Sequence, residues 1–146
     1  MTAQLWDGQS PVLADTSAWI VALRVRDARA RFLAGIERGD IAWCWPVRYE
    51  LMIDARDSDA IVSLDRTLEG VRQIATDAAV QRGVLAVMRE LAGTGSQGSH
   101  RFPLTDLAVA VAAQQAGIDI LHHDRHFERL GELLGVRALW IADPTD

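Results

Sequence analysis

The sequence predicts a single α/β domain with a central, mostly parallel sheet of four to five strands covered by helices on both faces. Three observations carry that prediction. Short apolar runs suited to buried strands alternate with helix-length amphipathic segments, which is the pattern of helical crossovers between parallel strands. No internal repeat and no long linker interrupts the alternation. The chain has 146 residues, 49% of them hydrophobic and 24% charged, enough for one core with no room for a second. The domain is therefore expected to span 1–146, with a core from about 11 to 141 and short tails at both ends.

The first strand is expected at Val12-Leu13-Ala14. Pro11 suits a first strand position, and Thr16 or Ser17 can cap the helix that follows through Ala18 to Val25. Asp27 can cap a second helix, in which Phe32, Leu33 and Ile36 follow helical spacing until Gly39 stops it. Ile41 to Trp45 reads as the second strand. Pro46 marks the start of a helix running to about Arg56, because a first-turn proline loses no hydrogen bond. Two core-packing helices follow, Ser58 to Gly70 with Ile61, Leu64 and Leu68 on one face, and a longer one capped by Thr76. The stretch from Gly93 to Arg101 is glycine- and serine-rich and serves as a plain connector or a lid. Leu104 opens a helix that is apolar nearly all round and ends at Gly117, so it is buried. Ile118 to Leu121, a helix from Arg125 to Leu134, and Val136 to Ile141 complete the sheet.

Composition narrows the chemistry. The net charge of −5 argues against a constitutive nucleic-acid coat protein, yet leaves room for a local basic patch. All fifteen basic residues are arginine, which excludes Schiff bases, Walker-type phosphate loops and lysine-assisted phospho-aspartate chemistry. Haloacid-dehalogenase-like phosphatases and receiver domains are disfavoured for that reason. Cys44, the only cysteine, can form no intramolecular disulfide and is expected as a small buried hydrophobe. Met1 to Gln9 lacks the features of a signal peptide, and no apolar run reaches the roughly 20 residues of a membrane span. A cytoplasmic protein with no membrane contact is expected.

Four acids stand out because each falls where a strand hands over to a helix or a helix has just begun: Asp15, Glu50, Asp106 and Asp124. Open α/β sheets place their ligand crevice at the carboxyl ends of the strands, so these side chains can meet there. Hard oxygen donors of this kind suit Mg²⁺ or Mn²⁺, which can activate water and stabilise a phosphodiester transition state. Each acid also has a simpler explanation. Asp15, Asp106 and Asp124 can serve as helix caps, and Glu50 sits well with the dipole of its helix.

Four segments resemble the motifs of PIN-domain proteins: Val12-Leu13-Ala14-Asp15-Thr16-Ser17-Ala18, Tyr49-Glu50-Leu51, Leu104-Thr105-Asp106-Leu107-Ala108-Val109-Ala110 and His123-Asp124-Arg125-His126-Phe127. They run in order from Val12 to about Trp140, and the resemblance is strongest to VapC-type ribonuclease toxins of bacterial toxin–antitoxin modules. It implies a Mg²⁺- or Mn²⁺-dependent endoribonuclease, usually a homodimer, held inactive by a VapB-like antitoxin. It also implies that Asp15, Glu50, Asp106 and Asp124 are catalytic, with Asp15, Asp106 and Asp124 on the metal. Thr16 or Ser17 would support Asp15 or a metal water, and Thr105 would do the same for Asp106. The alternative is a catalytically inactive relative that binds only metal or antitoxin.

One departure from the pattern is His126, which stands where many relatives carry a further acid or asparagine. His122 and His123, adjacent on a strand, point to opposite faces and cannot readily share one ion. Surface or supporting roles are expected for all three histidines. Arg24, Arg26, Arg29, Arg31 and Arg38 form a local basic excess around the first two helices. The first four are candidate RNA contacts, since the guanidinium fork matches phosphate, although a solvated helical face is equally a home for them.

Overall fold

The computed structural model describes residues 3–94 and 100–145. The glycine- and serine-rich stretch expected as a connector or lid falls mainly on 95–99, outside the described residues.

The chain folds as β1 (Val12–Ala14), α1 (Thr16–Arg24), α2 (Arg26–Arg38), β2 (Ile41–Cys44), α3 (Trp45–Ile53), α4 (Ser58–Glu69), β3 (Arg72–Ile74), α5 (Ala78–Ala92), α6 (Leu104–Ala116), β4 (Asp119–His122), α7 (His126–Leu134) and β5 (Ala138–Trp140). The five strands form one sheet in the order β3-β2-β1-β4-β5, and every pairing is parallel. Parallel crossovers are right-handed, so the helices joining β1 to β2 and β3 lie on one face and those joining β3 to β4 and β5 lie on the other. The strand order reverses direction at β1. Val12 pairs with Ile41 on one side and with Asp119 on the other. The carboxyl ends of β1 and β4 therefore flank the crevice where such sheets take ligands.

The central strands are buried throughout, as a sheet covered on both faces requires. Among the described residues no helix is long and apolar enough to cross a membrane. Cys44 is buried in the core, and burial pushes its thiol up to about 12, which leaves it a hydrophobe with no useful thiolate. Gly83 lets α5 approach α6 closely: an added Cβ would stand 2.5 Å from Val111 Cγ1. That contact seats the helix carrying Thr105 and Asp106.

Several boundaries differ from the sequence reading for local reasons. Neither Thr16 nor Ser17 caps α1. Asp15 does, because its carboxylate accepts the Ser17 N–H at 3.0 Å. Asp77, not Thr76, caps α5 in the same way, accepting from Val80 N–H. Asp27 caps nothing. α1 and α2 are joined by Val25 alone, whose N–H closes α1 on Val21 and whose carbonyl opens α2 on Arg29, leaving Asp27 inside the first turn. α3 stops at Ile53, short of Arg56. The run 72–74 is a strand that the sequence pattern did not mark, an edge strand with two exposed residues out of three. The segment before β1 is also more than a tail. Trp6 is buried, donates its backbone N–H to Trp140 O at 2.9 Å, and packs over Gly35 and Ile41.

Candidate active site

Asp15 emerges from β1 and is fixed on both sides. Its backbone N–H donates to Leu121 O of β4 at 2.9 Å, and its Oδ2 accepts from the Ser17 hydroxyl at 2.6 Å. Ser17 in turn accepts the backbone N–H of His123 at 2.9 Å, so one hydroxyl ties α1 to the turn after β4. Asp15 is only 3% exposed, and its Oδ1 is buried without a hydrogen-bond partner among the described residues. Burial pushes the Asp15 pKa up to about 6; the Ser17 hydrogen bonds act against that rise, and the charge of Asp106 adds to it.

Glu50 reaches the same end of the sheet from α3. The Thr16 hydroxyl donates to its Oε1 at 2.6 Å, so Thr16 supports Glu50 and not Asp15 as expected. Asp106 lies in the first turn of α6 and is 7% exposed. Its pKa is raised by burial, a hydrogen bond from His126 opposes the rise, and the charges of Asp124 and Glu50 reinforce it. Thr105 is buried next to Asp106 in sequence, but no hydrogen bond joins the two side chains. Asp124 turns the chain into α7: its Oδ1 accepts the His126 N–H at 3.0 Å.

The charges of Asp124 and Glu50 raise the Asp106 pKa, and the charge of Asp106 raises that of Asp15, so the four acids share one end of the sheet. One atom each from Asp106, Asp124 and His126 lie within 4.8 Å of one another, the spacing of a cation's ligand shell. Asp15 lies outside that group of three but feels the charge of Asp106, and its Oδ1 is buried without a hydrogen-bond partner among the described residues. The residues present fit a hard divalent cation.

The histidines divide. His122 is fully buried against Phe127 and Trp140; its Nδ1 accepts Asp124 N–H at 3.1 Å, and burial pushes its pKa down to about 4. It is a neutral core residue that orients the Asp124 turn. His123 Nε2–H faces Asp143 O at 3.0 Å. His126, expected at the surface or in a supporting role, is exposed and brings its Nδ1 to 2.7 Å from Asp106 Oδ2 and 3.5 Å from Asp124 Oδ1. Of the arginines, Arg29 holds the Ala22 and Leu23 carbonyls, Arg31 the Ile141 carbonyl and Arg38 the Gly8 carbonyl. Arg24 and Arg26 are exposed.

The Asp15 environment makes a signed prediction. A carboxyl whose folded pKa is raised contributes stability below its ordinary value near 3.8 and loses it as pH rises through about 6. At roughly 1.4 kcal/mol per pKa unit, the metal-free protein should forfeit up to about 3 kcal/mol between pH 4 and pH 8 from this group. Asp15→Asn should therefore be more stable than the parent at pH 8 in chelator, with the difference closing toward pH 4. Urea unfolding across that range reads it, and a difference independent of pH would contradict it.

The PIN domain family model matches residues 12–133 of the chain. The chain is 32% identical over 127 residues to a Mycobacterium tuberculosis protein named ribonuclease VapC18, covering 87% of this chain and 92% of that one. It is 26% identical over 132 residues to ribonuclease VapC11 of the same species, covering 87% and 96%. Among solved structures, DNA-bound VapBC from Salmonella typhimurium superposes with a TM-score of 0.73 at 17% identity, covering 92% of this chain and 100% of that chain. VapBC2 from Rickettsia felis, bound to a DNA fragment from its promoter, gives 0.67 at 16%, covering 88% and 97%. At such identities the structures speak for the fold, while the family model and the 32% relative decide membership: this chain belongs to the PIN-domain family.

Proposed function

We propose that the chain is an endoribonuclease that hydrolyses RNA phosphodiester bonds and acts as the toxin of a VapBC-like pair, silenced by a VapB-like antitoxin. The observation that carries this reading is the convergence of Asp15, Glu50, Asp106 and Asp124 at one end of the sheet, in a chain whose relatives are named ribonucleases. Asp15, Asp106 and Asp124 would hold Mg²⁺ or Mn²⁺. When bound, such an ion supplies an acidified water and a counter-charge for the phosphodiester transition state. Glu50, with Oε1 held by Thr16, would accept a proton from the attacking water. Ser17 orients Asp15 and ties it to the His123 turn, and His122 keeps the Asp124 turn in register.

The whole chain, 1–146, works as one unit in the cytoplasm on this reading. A homodimer is part of it, since Trp45, Tyr49, Ile53, Leu85 and Leu104 are all exposed on α3, α5 and α6; a solution mass of one chain would remove that element. Of the four candidate arginines, Arg24 and Arg26 are exposed and make no side-chain hydrogen bond among the described residues, which leaves them available to RNA. Arg24 closes α1 at the far end from Asp15, about 13 Å along the helix, so any phosphate it meets is not the one being cleaved.

Cleavage of a labelled RNA panel tests the reading. RNA should be cut with Mg²⁺ or Mn²⁺ and left whole in excess chelator, and Asp106→Asn should lower the rate by about 100-fold or more while the fold survives. Robust cleavage in chelator overturns the metal mechanism, and metal binding without cleavage of any RNA points to the inactive binding module. Replacing Arg24 and Arg26 together with glutamine should weaken RNA binding across sequences and flatten its logarithmic salt slope by about 1.4. An unchanged slope returns both to the solvated face.

A further inference from the structure

We propose that His126 is itself a metal ligand, whose Nδ1 joins carboxylate oxygens of Asp106 and Asp124 in a mixed nitrogen and oxygen site that favours Mn²⁺ over Mg²⁺. The inference rests on the metal reading above and changes its chemistry.

Three features of the geometry support it. His126 Nδ1 stands 2.7 Å from Asp106 Oδ2 and 3.5 Å from Asp124 Oδ1. Adjacent ligand atoms of an octahedral ion with bonds near 2.1 Å are separated by about 3 Å, so both separations suit neighbouring vertices of one shell. The ring is also aimed. His126 N–H donates to Asp124 Oδ1, which fixes the two residues against each other at the start of α7. The imidazole then packs edge-on against Phe102, with centroids 5.3 Å apart at 87°, and the Arg129 guanidinium lies 6.0 Å from the Phe102 ring. Nδ1 is held toward the acids while Nε2 is left on the other side.

A simple ion pair between His126 and Asp106 does not account for the site. One imidazolium can balance one carboxylate, whereas Asp15, Glu50, Asp106 and Asp124 bring four. The Asp15 Oδ1 is also buried without a hydrogen-bond partner among the described residues, so His126 does not satisfy the whole group of acids. A divalent ion answers that shortfall while using His126 as a donor.

The ligand type sets the selectivity. Mg²⁺ prefers oxygen alone, whereas imidazole suits first-row transition ions, with Mn²⁺ the member of that series nearest in hardness to Mg²⁺. An all-carboxylate site would give a weaker preference. His126→Asp restores a hard donor at nearly the same place and turns the argument into a test.

The experiment uses the full-length, metal-free protein titrated with Mn²⁺ or Mg²⁺ alone, with no RNA present. Calorimetry gives both affinities, and pulsed paramagnetic resonance of the Mn²⁺ form reports any directly bound nitrogen. The parent should show nitrogen coupling that disappears in both His126→Asp and His126→Asn and persists in His123→Gln. In His126→Asp the ratio of Mn²⁺ to Mg²⁺ affinity should fall by about tenfold. Mn²⁺ bound without nitrogen coupling, or coupling that survives in His126→Asp, overturns the proposal and leaves the carboxylate site standing. A parent that binds neither ion overturns both.

Discussion

Asp15 is held between β1 and β4 by its own backbone and by Ser17, in a place where a charged carboxylate has one oxygen satisfied and the other bare. The rest of the site follows from that constraint. A carboxyl so placed is unfavourable when ionised, and it becomes more so with Asp106 ionised nearby. Asp124 and Glu50 are partly exposed, but the fold neither exposes Asp15 and Asp106 nor pairs them with arginine among the described residues. Arg29, Arg31 and Arg38 are spent instead on backbone carbonyls, where they fasten α1 to α2, and α2 to both the β5 end and the N-terminal segment. The apo site keeps an electrostatic deficit that a cation can fill. This is the usual relation between stability and function in a binding site, in which groups that serve the ligand destabilise the empty protein.

The scaffold makes that deficit tolerable. β1 lies at the centre of a parallel sheet with every residue buried, and its register against β4 brings two strand ends to the same level. α6 is buried along nearly its whole length and delivers Asp106 from a first turn that cannot shift without moving Leu107 to Ala113 through the core. Close approach of α5 at Gly83 holds α6 from behind. Secondary hydrogen bonds then orient the acids: Thr16 on Glu50, Ser17 on Asp15 and His122 on the backbone of Asp124. Polar residues that look like ligands in the sequence thus divide into those that would face a cation and those that orient them, as metal sites commonly do.

Much of this was legible in the chain because the signals are local. An apolar triplet ending in Asp15, glycines at 39 and 117 in the left-handed region after long helices, and an apolar run from Leu107 each report on a few adjacent residues. The four acids could be placed at one sheet end from topology alone. What escaped depends on tertiary context. β3 is a polar edge strand whose identity comes from its pairing with β2. The caps were misplaced by one or two residues because Asp15 and Asp77 outcompete the nearby hydroxyls for the free N–H groups. The contact of His126 Nδ1 with Asp106 depends on how α7 meets Phe102 and α6, which no spacing rule encodes.

The central claim is that burial raises the proton affinity of Asp15 and that a divalent cation would lower it again. The most direct measurement is the titration of the Asp15 carboxyl carbon by nuclear magnetic resonance, in chelator and in saturating diamagnetic Mg²⁺. The account predicts a midpoint near 6 without metal, following the burial of the group, and a fall into or below the ordinary carboxylate range with it. A midpoint in the ordinary range without metal, unmoved by the ion, would contradict it.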